Sequence, residues 1–224
     1  MVNGDRPVAA SNASAAGERH WDAVYASKPA TAVTWYQPHA QTSLRLIADT
    51  GVPLDAAIVD VGGGASTLVD DLLYLGHGNV SVLDLSAAAL QIAKARLGLR
   101  AEGVHWIEAD VTAAELPPQA FDLWHDRAVF HFLTDPVARR RYVDTVLRSV
   151  KPGGHVIVAT FAEDGPTKCS GLPVMRYSAP QLQAALGDAF VLAHHEHENH
   201  VTPSGAVQSF VYCRFRVAQT AGRA

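Results

Sequence analysis

The sequence predicts an α/β fold: a doubly wound, mostly parallel sheet of seven strands that ends in a C-terminal antiparallel hairpin. Three observations predict it. From Ile58 onward, short apolar and β-branched runs alternate with helix-like stretches, the pattern of parallel strands joined by crossover helices. The first run, Ile58-Val59-Asp60-Val61, leads into Gly62-Gly63-Gly64 and then into a helical pattern at Ser66, the strand, turn and helix of a nucleotide-type cradle. The last two runs are separated only by residues 199–206, with Pro203 and Gly205 and no helix, so they pair as a hairpin.

The elements follow in order. Residues 1–17, rich in Ala, Ser and Asn, read as a disordered arm that offers little to bury. Residues 18–224 read as one domain, with helices over 18–50 ahead of a core over 57–217. Trp21 and Tyr25 are four apart, on one face of a helix. Trp35-Tyr36 follow the Lys28-Pro29 break. These aromatics form either a roof over a ligand or a helix packed on the outside of the sheet. Residues 42–50 form a helix that ends near Gly51. Val80 to Asp84 is the second strand, and Ser86 caps a helix over 87–97. The third and fourth strands run from Val104 to Asp110 and from Phe121 to His125. Asp135-Pro136 opens a helix to about Val150, ended by Lys151-Pro152-Gly153-Gly154. His155 to Phe161, Phe190 to His197 and Gln208 to Val217 complete the strands, with a Ser178-capped helix over 179–186.

Composition narrows the function classes. The 224 residues are 48% hydrophobic and 18% charged, ordinary for a soluble globular chain. A net charge of -4 supplies no global basic field, which argues against nucleic acid as a partner. No apolar run is long enough to span a membrane, and no basic and apolar leader opens the sequence. Cys169 and Cys213 make neither a disulfide framework nor a metal spacing and fit a reducing cytoplasm.

In an open α/β sheet the ligand sits at the carboxyl ends of the strands. Strand one ends in Asp60 and the glycines, strand two in Asp84-Leu85, strand three in Asp110-Val111, and strand four in His125-Asp126-Arg127 with His131 shortly after. An acid ending strand two can accept both hydroxyls of a ribose. An acid ending strand three, beside an apolar neighbour, can accept the exocyclic amine of adenine. No Lys follows the glycines, which excludes a P-loop.

With these residues the chain resembles the class I S-adenosylmethionine-dependent methyltransferases. The matching pieces are Val59-Asp60-Val61-Gly62-Gly63-Gly64, Asp84, Glu108-Ala109-Asp110-Val111, Phe121-Asp122-Leu123-Trp124 and Leu147-Arg148-Ser149-Val150-Lys151-Pro152-Gly153-Gly154. The terminal hairpin fits the family's reversed seventh strand, and the resemblance covers residues 40–217. Ala65-Ser66 stands where the family's third spaced glycine would fall. The resemblance implies that the glycines wrap the amino-acid end of the cofactor, that Asp84 holds its ribose and Asp110 its adenine. Asp60, Leu85, Val111, His125, Tyr25 and Trp35 join them as expected cofactor contacts. The N-terminal aromatics resemble the lid of small-molecule members, which implies a small-molecule acceptor; a protein lysine methyltransferase is the alternative. A nicotinamide-dependent dehydrogenase would share the glycine turn and Asp84, but Asp110 and the closing hairpin argue against it. A cofactor-binding scaffold without chemistry is the remaining reading.

Methyl transfer from a sulfonium needs mainly a positioned nucleophile, and a base only if the acceptor arrives protonated. The candidates for catalysis are Asp126, His131 and Arg127. Arg127 and Arg176 are expected to hold an anionic acceptor group, against an alternative as surface ion pairs. Trp21, Tyr36 and Cys169, the last in the turn-rich loop 164–173, are expected to wall the acceptor. The run His194-His195-Glu196-His197-Glu198-Asn199-His200 invites a metal, but it belongs to strand six, away from the expected cofactor, and no metal is expected.

Overall fold

The computed structural model describes residues 8–219. The strands are β1 (Ile58–Val61), β2 (Val80–Asp84), β3 (Val104–Glu108), β4 (Phe121–Arg127), β5 (Val150–Phe161), the two-residue pair β6 (Lys168–Cys169) and β7 (Leu172–Pro173), β8 (Phe190–Val201) and β9 (Val207–Val217). The helices are α1 (Val8–Ser27), α2 (Gln41–Ala48), α3 (Leu68–Tyr74), α4 (Ala87–Leu97), α5 (Pro136–Ser149) and α6 (Ala179–Leu186).

Seven strands make one sheet in the order β3-β2-β1-β4-β5-β9-β8. The first five are parallel, and β9 runs antiparallel to both β5 and β8. This is the expected doubly wound sheet with its terminal hairpin. The order reverses beside β1, so the carboxyl ends of β1, β2 and β4 meet at a switch point, where such sheets bind ligands. Every residue of β1 and β2 is buried, as expected of central parallel strands made of Val, Ile and Leu.

Alternation along the strands sorts side chains into two cores. Val59, Val61, Trp124, Tyr142, Val146 and Leu182 pack on the side of α5 and α6. Ile58, Val82, Leu123 and Ile157 pack on the other side with Leu46, Leu72 and Leu90 from α2, α3 and α4. The three predicted caps hold: the side chains of Ser86, Asp135 and Ser178 accept from the backbone N–H of Ala89, Ala138 and Gln181.

Two expectations are corrected. Residues 1–7 lie outside the described residues, but α1 begins at Val8, inside the stretch expected to be a disordered arm. The stretch is rich in Ala, the strongest helix former, and that outweighs its few apolar groups. The strands also run longer than expected. Val150 already pairs with Phe121, with a bulge between Phe121 and Leu123 that absorbs the Lys151-Pro152-Gly153-Gly154 turn. β8 continues to Val201, because pairing with β9 carries it past its charged residues.

A buried polar chain fixes β4 to α5. Trp124 Nε1 donates to Tyr142 Oη at 3.0 Å, and Tyr142 Oη donates to Asp126 Oδ2 at 2.6 Å. Asp126 also accepts from the backbone N–H of Val129 and Phe130 at 2.9 and 3.1 Å, which secures a turn where Ala128 holds φ at 72°. Tyr142→Phe keeps the ring, leaves Trp124 Nε1 without its acceptor and removes the hydroxyl donor from Asp126. It is expected to destabilise the fold by about 1–3 kcal/mol, measured as a lower denaturant midpoint with an unchanged slope.

Candidate active site

The carboxyl ends of β1, β2 and β4 open into a cleft of about 610 Å³. Its floor is Val61, Gly62, Leu83 and Asp84, continuing into Leu85, Asp110 and Val111. Arg127, Val129, Phe132 and Leu133 come from the end of β4, and Cys169 and Leu172 from the β6–β7 loop. Trp21, Tyr25 and Trp35 close the upper side. A second, smaller cavity lies against the glycine turn. It is lined by Trp35, Tyr36, Gln37, Asp60, Gly62, Gly63, His125 and Arg127, among others.

The turn admits only glycine. Gly62 has φ of +68°, and a β-carbon there would fall 2.1 Å from Val129 Cγ2. At Gly64, with φ of +28°, a β-carbon would fall 2.5 Å from Asp84 Oδ2 and 2.9 Å from the β-carbon of Ala89. The two acids at the strand ends are held by local bonds that leave a carboxylate oxygen over. Asp84 Oδ1 accepts from Ser86 N at 2.8 Å, and Asp110 Oδ1 from Thr112 N and Oγ1 at 2.8 and 2.7 Å. Neither Oδ2 has a hydrogen-bond partner among the described residues. Burial pushes the Asp84 carboxyl up to about 7, and the charges of Asp60 and Asp22 add to that.

The aromatic side is self-bonded. Trp35 Nε1 donates to Tyr25 Oη at 3.2 Å, and Trp21 stands edge-on to Trp35 and Phe132 with centroids 5.7 and 5.1 Å apart. Burial, and then the charge of Asp84, raises the Tyr25 hydroxyl far above its ordinary value, so it stays protonated. Arg127 ties this side to the hairpin. Its Nε donates to Tyr212 Oη at 2.8 Å, its Nη1 to the Trp35 carbonyl at 3.1 Å, and its guanidinium lies 4.5 Å from the Phe210 ring centre. Glu198 gathers Tyr212 Oη, Thr42 Oγ1 and Gln37 Nε2 at 2.9, 2.9 and 3.2 Å.

Among the expected site residues, Gly62, Asp84, Leu85, Asp110, Val111, Tyr25, Trp35, Trp21, Arg127 and Cys169 line the main cleft. Asp60, Gly63, His125 and Tyr36 line the smaller cavity, and Gly64 is packed between Asp84 and Ala89. Tyr36 therefore faces the glycine turn rather than the acceptor wall. His125 is fully engaged, with Nδ1 donating to Asp60 Oδ1 at 2.7 Å and Nε2 paired with Ser43 Oγ at 2.8 Å.

Three expectations are corrected. Asp126 points to α5 because it alternates with His125 and Arg127 along β4, and it is spent on Tyr142 and two backbone amides. His131 is wholly buried between Phe132 and Phe161 with burial holding its imidazole down at about 3, so it neither reaches the cleft nor carries charge. Arg176 lines neither cavity and donates to the Gly165 carbonyl at 3.3 Å. Sequence reasoning missed Asp22, which accepts from Ser86 Oγ at 2.6 Å, and Glu198. The strand period foretells the Asp126 result, whereas Glu198 meets Gln37 and Thr42 across more than 150 residues of sequence. In the histidine run, His194 pairs with Glu196 at 3.0 Å, Glu196 pairs with Arg45, and His200 Nε2 donates to the Thr34 carbonyl at 2.7 Å.

Residues 58–154 match the family described as "Methyltransferase domain". Two curated relatives are the malonyl-[acyl-carrier protein] O-methyltransferase of Paenibacillus sp. (strain JDR-2) and the EEF1A lysine methyltransferase 2 of Homo sapiens. The first is 29% identical over 115 residues, 50% of this chain and 41% of that protein. The second is 26% identical over 164 residues, 66% of this chain and 69% of that protein. A solved structure of Burkholderia thailandensis 1,6-didemethyltoxoflavin-N1-methyltransferase, with its substrate and S-adenosylhomocysteine bound, shares the fold at a TM-score of 0.65. It is 19% identical, over 97% of this chain and 94% of that one. The matched domain runs from the first residue of β1 to the turn inside β5, so it holds the glycine turn and both strand-end acids. The cleft those residues line fits S-adenosylmethionine, the cofactor of class I methyltransferases, and residues 58–154 of this chain form a methyltransferase domain.

Proposed function

We propose that this protein methylates a small molecule enclosed beneath Trp21, Tyr25 and Trp35. One observation carries the reading: these rings line the same cleft as Asp84 and Asp110, so an acceptor reaching the cofactor is walled by aromatic faces rather than presented on an open surface. The small-molecule substrate in the neighbouring toxoflavin enzyme supports it. The human relative, named for a lysine methylation, supplies the competing reading of a protein acceptor.

In this reading Asp84 accepts the ribose hydroxyls, Asp110 the adenine amine, and the Gly62–Gly63 turn with Asp60 faces the amino-acid end. Once bound, the cofactor supplies an electrophilic methyl group on a sulfonium. The chain then orients and encloses. Trp21, Tyr25 and Trp35 exclude water, which strengthens the electrostatics around a cation, and their faces attract it. Arg127 lines both cavities and faces any anionic group of the acceptor. Among the described residues no histidine lines the main cleft. Cys169 sits in the acceptor wall as a thiol, its pKa pushed by burial to about 11. Positioning therefore supplies the rate, and the acceptor brings its own nucleophilic form. Two buried, unpaired thiols at Cys169 and Cys213 support, in the same reading, a reducing cytoplasm. Among the described residues no helix is long and apolar enough to cross a membrane.

Three results test this. Calorimetry is expected to show binding of S-adenosylmethionine and S-adenosylhomocysteine but not NAD, and Asp84→Ala is expected to weaken it by about 1.5–3 kcal/mol; NAD binding without S-adenosylmethionine binding overturns the site. Ribose hydroxyls favour the ionised Asp84 carboxylate, whose pKa without ligand is about 7. Affinity is therefore expected to rise with pH up to about 7 and level above it, with a proton released on binding at pH 6, and Asp84→Asn is expected to flatten that profile. A methylation screen over thiols, amines, phenols and carboxylates is expected to yield a small acceptor whose turnover falls on deleting residues 1–36. Methylation of protein lysines alone, or full activity of the deletion, overturns the enclosed-acceptor reading.

A further inference from the structure

Among the described residues, the N-terminal helix touches the cofactor platform at one polar point, and the mechanism above does not use it. On α1 the stripe Gly17, Trp21 and Tyr25, spaced by four, lines the cleft. Asp22 stands beside that stripe and reaches the first turn of α4. Its Oδ1 accepts from Ser86 Oγ at 2.6 Å and from Ala88 N at 3.3 Å. Ser86 is wholly buried. It caps α4 by accepting from Ala89 N at 3.1 Å, and its own N–H donates to Asp84 Oδ1 at 2.8 Å. A serine hydroxyl has one proton, and here it goes to Asp22. One residue thus joins the helix that carries Trp21 and Tyr25, the start of α4, and the acid expected to hold the ribose. The approach is close on both sides of this point: a β-carbon at Gly17 would lie 3.1 Å from Leu85 Cδ2.

We propose that Asp22 is a positioning residue, a latch that docks the aromatic helix through Ser86 onto the loop carrying Asp84. Enclosure of the acceptor and capture of the cofactor then become one coupled event. The Asp22 oxygen completes the hydrogen bonding of Ser86 and accepts from the Ala88 N–H, one of the free N–H groups at the amino end of α4. With the latch shut, Ser86 has one rotamer and the Asp84 loop one conformation, and Trp21 and Tyr25 are aimed into the cleft. With it open, Ser86 must find another acceptor while its backbone still has to hold Asp84. Linkage requires the coupling to be reciprocal: if docking of α1 helps Asp84 hold the cofactor, the cofactor must tighten the docking of α1 by the same factor. The inference rests on Asp84 being a cofactor residue and not on the identity of the acceptor.

The test measures S-adenosylhomocysteine affinity by calorimetry and amide exchange across α1, with and without S-adenosylhomocysteine, in the full chain and in Asp22→Ala and Asp22→Asn. Both bonds from Asp22 end on one oxygen, which an asparagine amide retains. In the native chain S-adenosylhomocysteine is expected to slow exchange in α1. Asp22→Ala is expected to bind it about tenfold more weakly, within the usual range of coupling factors, and to lose that protection. Asp22→Asn is expected to restore both, and the thermal midpoint of Asp22→Ala without ligand verifies that the variant is folded. A native chain that binds S-adenosylhomocysteine with no change of exchange in α1 overturns the latch, even if Asp22→Ala fails to fold. Equal affinity in a folded Asp22→Ala overturns it too, as does an Asp22→Asn as impaired as Asp22→Ala, since the bond and not the charge is the claim. A native chain that binds no S-adenosylhomocysteine overturns the cofactor assignment together with the latch, which separates the two failures.

Discussion

The tight approach of four chain segments around Gly62, Gly63 and Gly64 governs the rest of the structure. A β-carbon at 62 would strike Val129, one at 63 would lie 2.5 Å from Asp60 Oδ2, and one at 64 would lie 2.5 Å from Asp84 Oδ2. Three missing side chains let the loop after β4 and the acids of β1 and β2 converge on one turn. Because those acids are drawn in behind backbone, they are desolvated. Asp84 responds with a raised pKa, and Asp60 with a hydrogen bond to His125 at 2.7 Å. The electrostatics of the site are therefore set by the close packing of the turn, before any ligand is considered.

The period of two along β4 divides the labour of that strand. Trp124 and Asp126 face α5 and build a buried network with Tyr142, while His125 and Arg127 face the glycine turn and the aromatic segment. Stability and site geometry thus come from adjacent residues on opposite faces. Asp126 still matters to the cleft, because the amides it holds belong to Val129 and Phe130, and Val129 is the residue that crowds Gly62. Its effect on the site is conformational, through the turn at Ala128, and not chemical.

Local rules made the fold legible in the sequence. Ser86, Asp135 and Ser178 announce helix starts because a capping side chain acts within three residues, and strand–helix alternation with one helix-free junction announces the sheet. The place of the cleft was legible for a similar reason, since strand ends are marked and the fold assigns them to one edge. The faces that individual polar residues occupy were not. A histidine or an aspartate after a strand carries no label for the face it occupies, so His131 and Asp126 looked reactive while one is enclosed by Phe132 and Phe161 and the other is bound to Tyr142. Asp22, Ser43 and Glu198 could not be assigned at all. Each acts through a partner 64 or more residues away, and only the folded sheet brings them together.

Glu198 shows why such distant partners have a place in the chemistry. The segment around Trp35 has no strand or long helix of its own, yet it lines the cleft. It is held by Arg127 at the Trp35 carbonyl, by His200 at the Thr34 carbonyl, and by Glu198 at Gln37 and Thr42. All three anchors stand on the β4 end or on β8. Arg127 and Glu198 are 3.7 Å apart with Tyr212 bridging them, both largely buried. In such a pair, removing one partner strands the other's charge at a cost of about 3–5 kcal/mol, whereas the intact pair adds little net stability. What the pair contributes is specificity of placement: it gives an irregular segment one seat on the sheet. The C-terminal hairpin, remote in sequence from the glycine turn and the strand-end acids, thereby fixes the position of Trp35, and with it the wall against which Tyr25 and Trp21 pack.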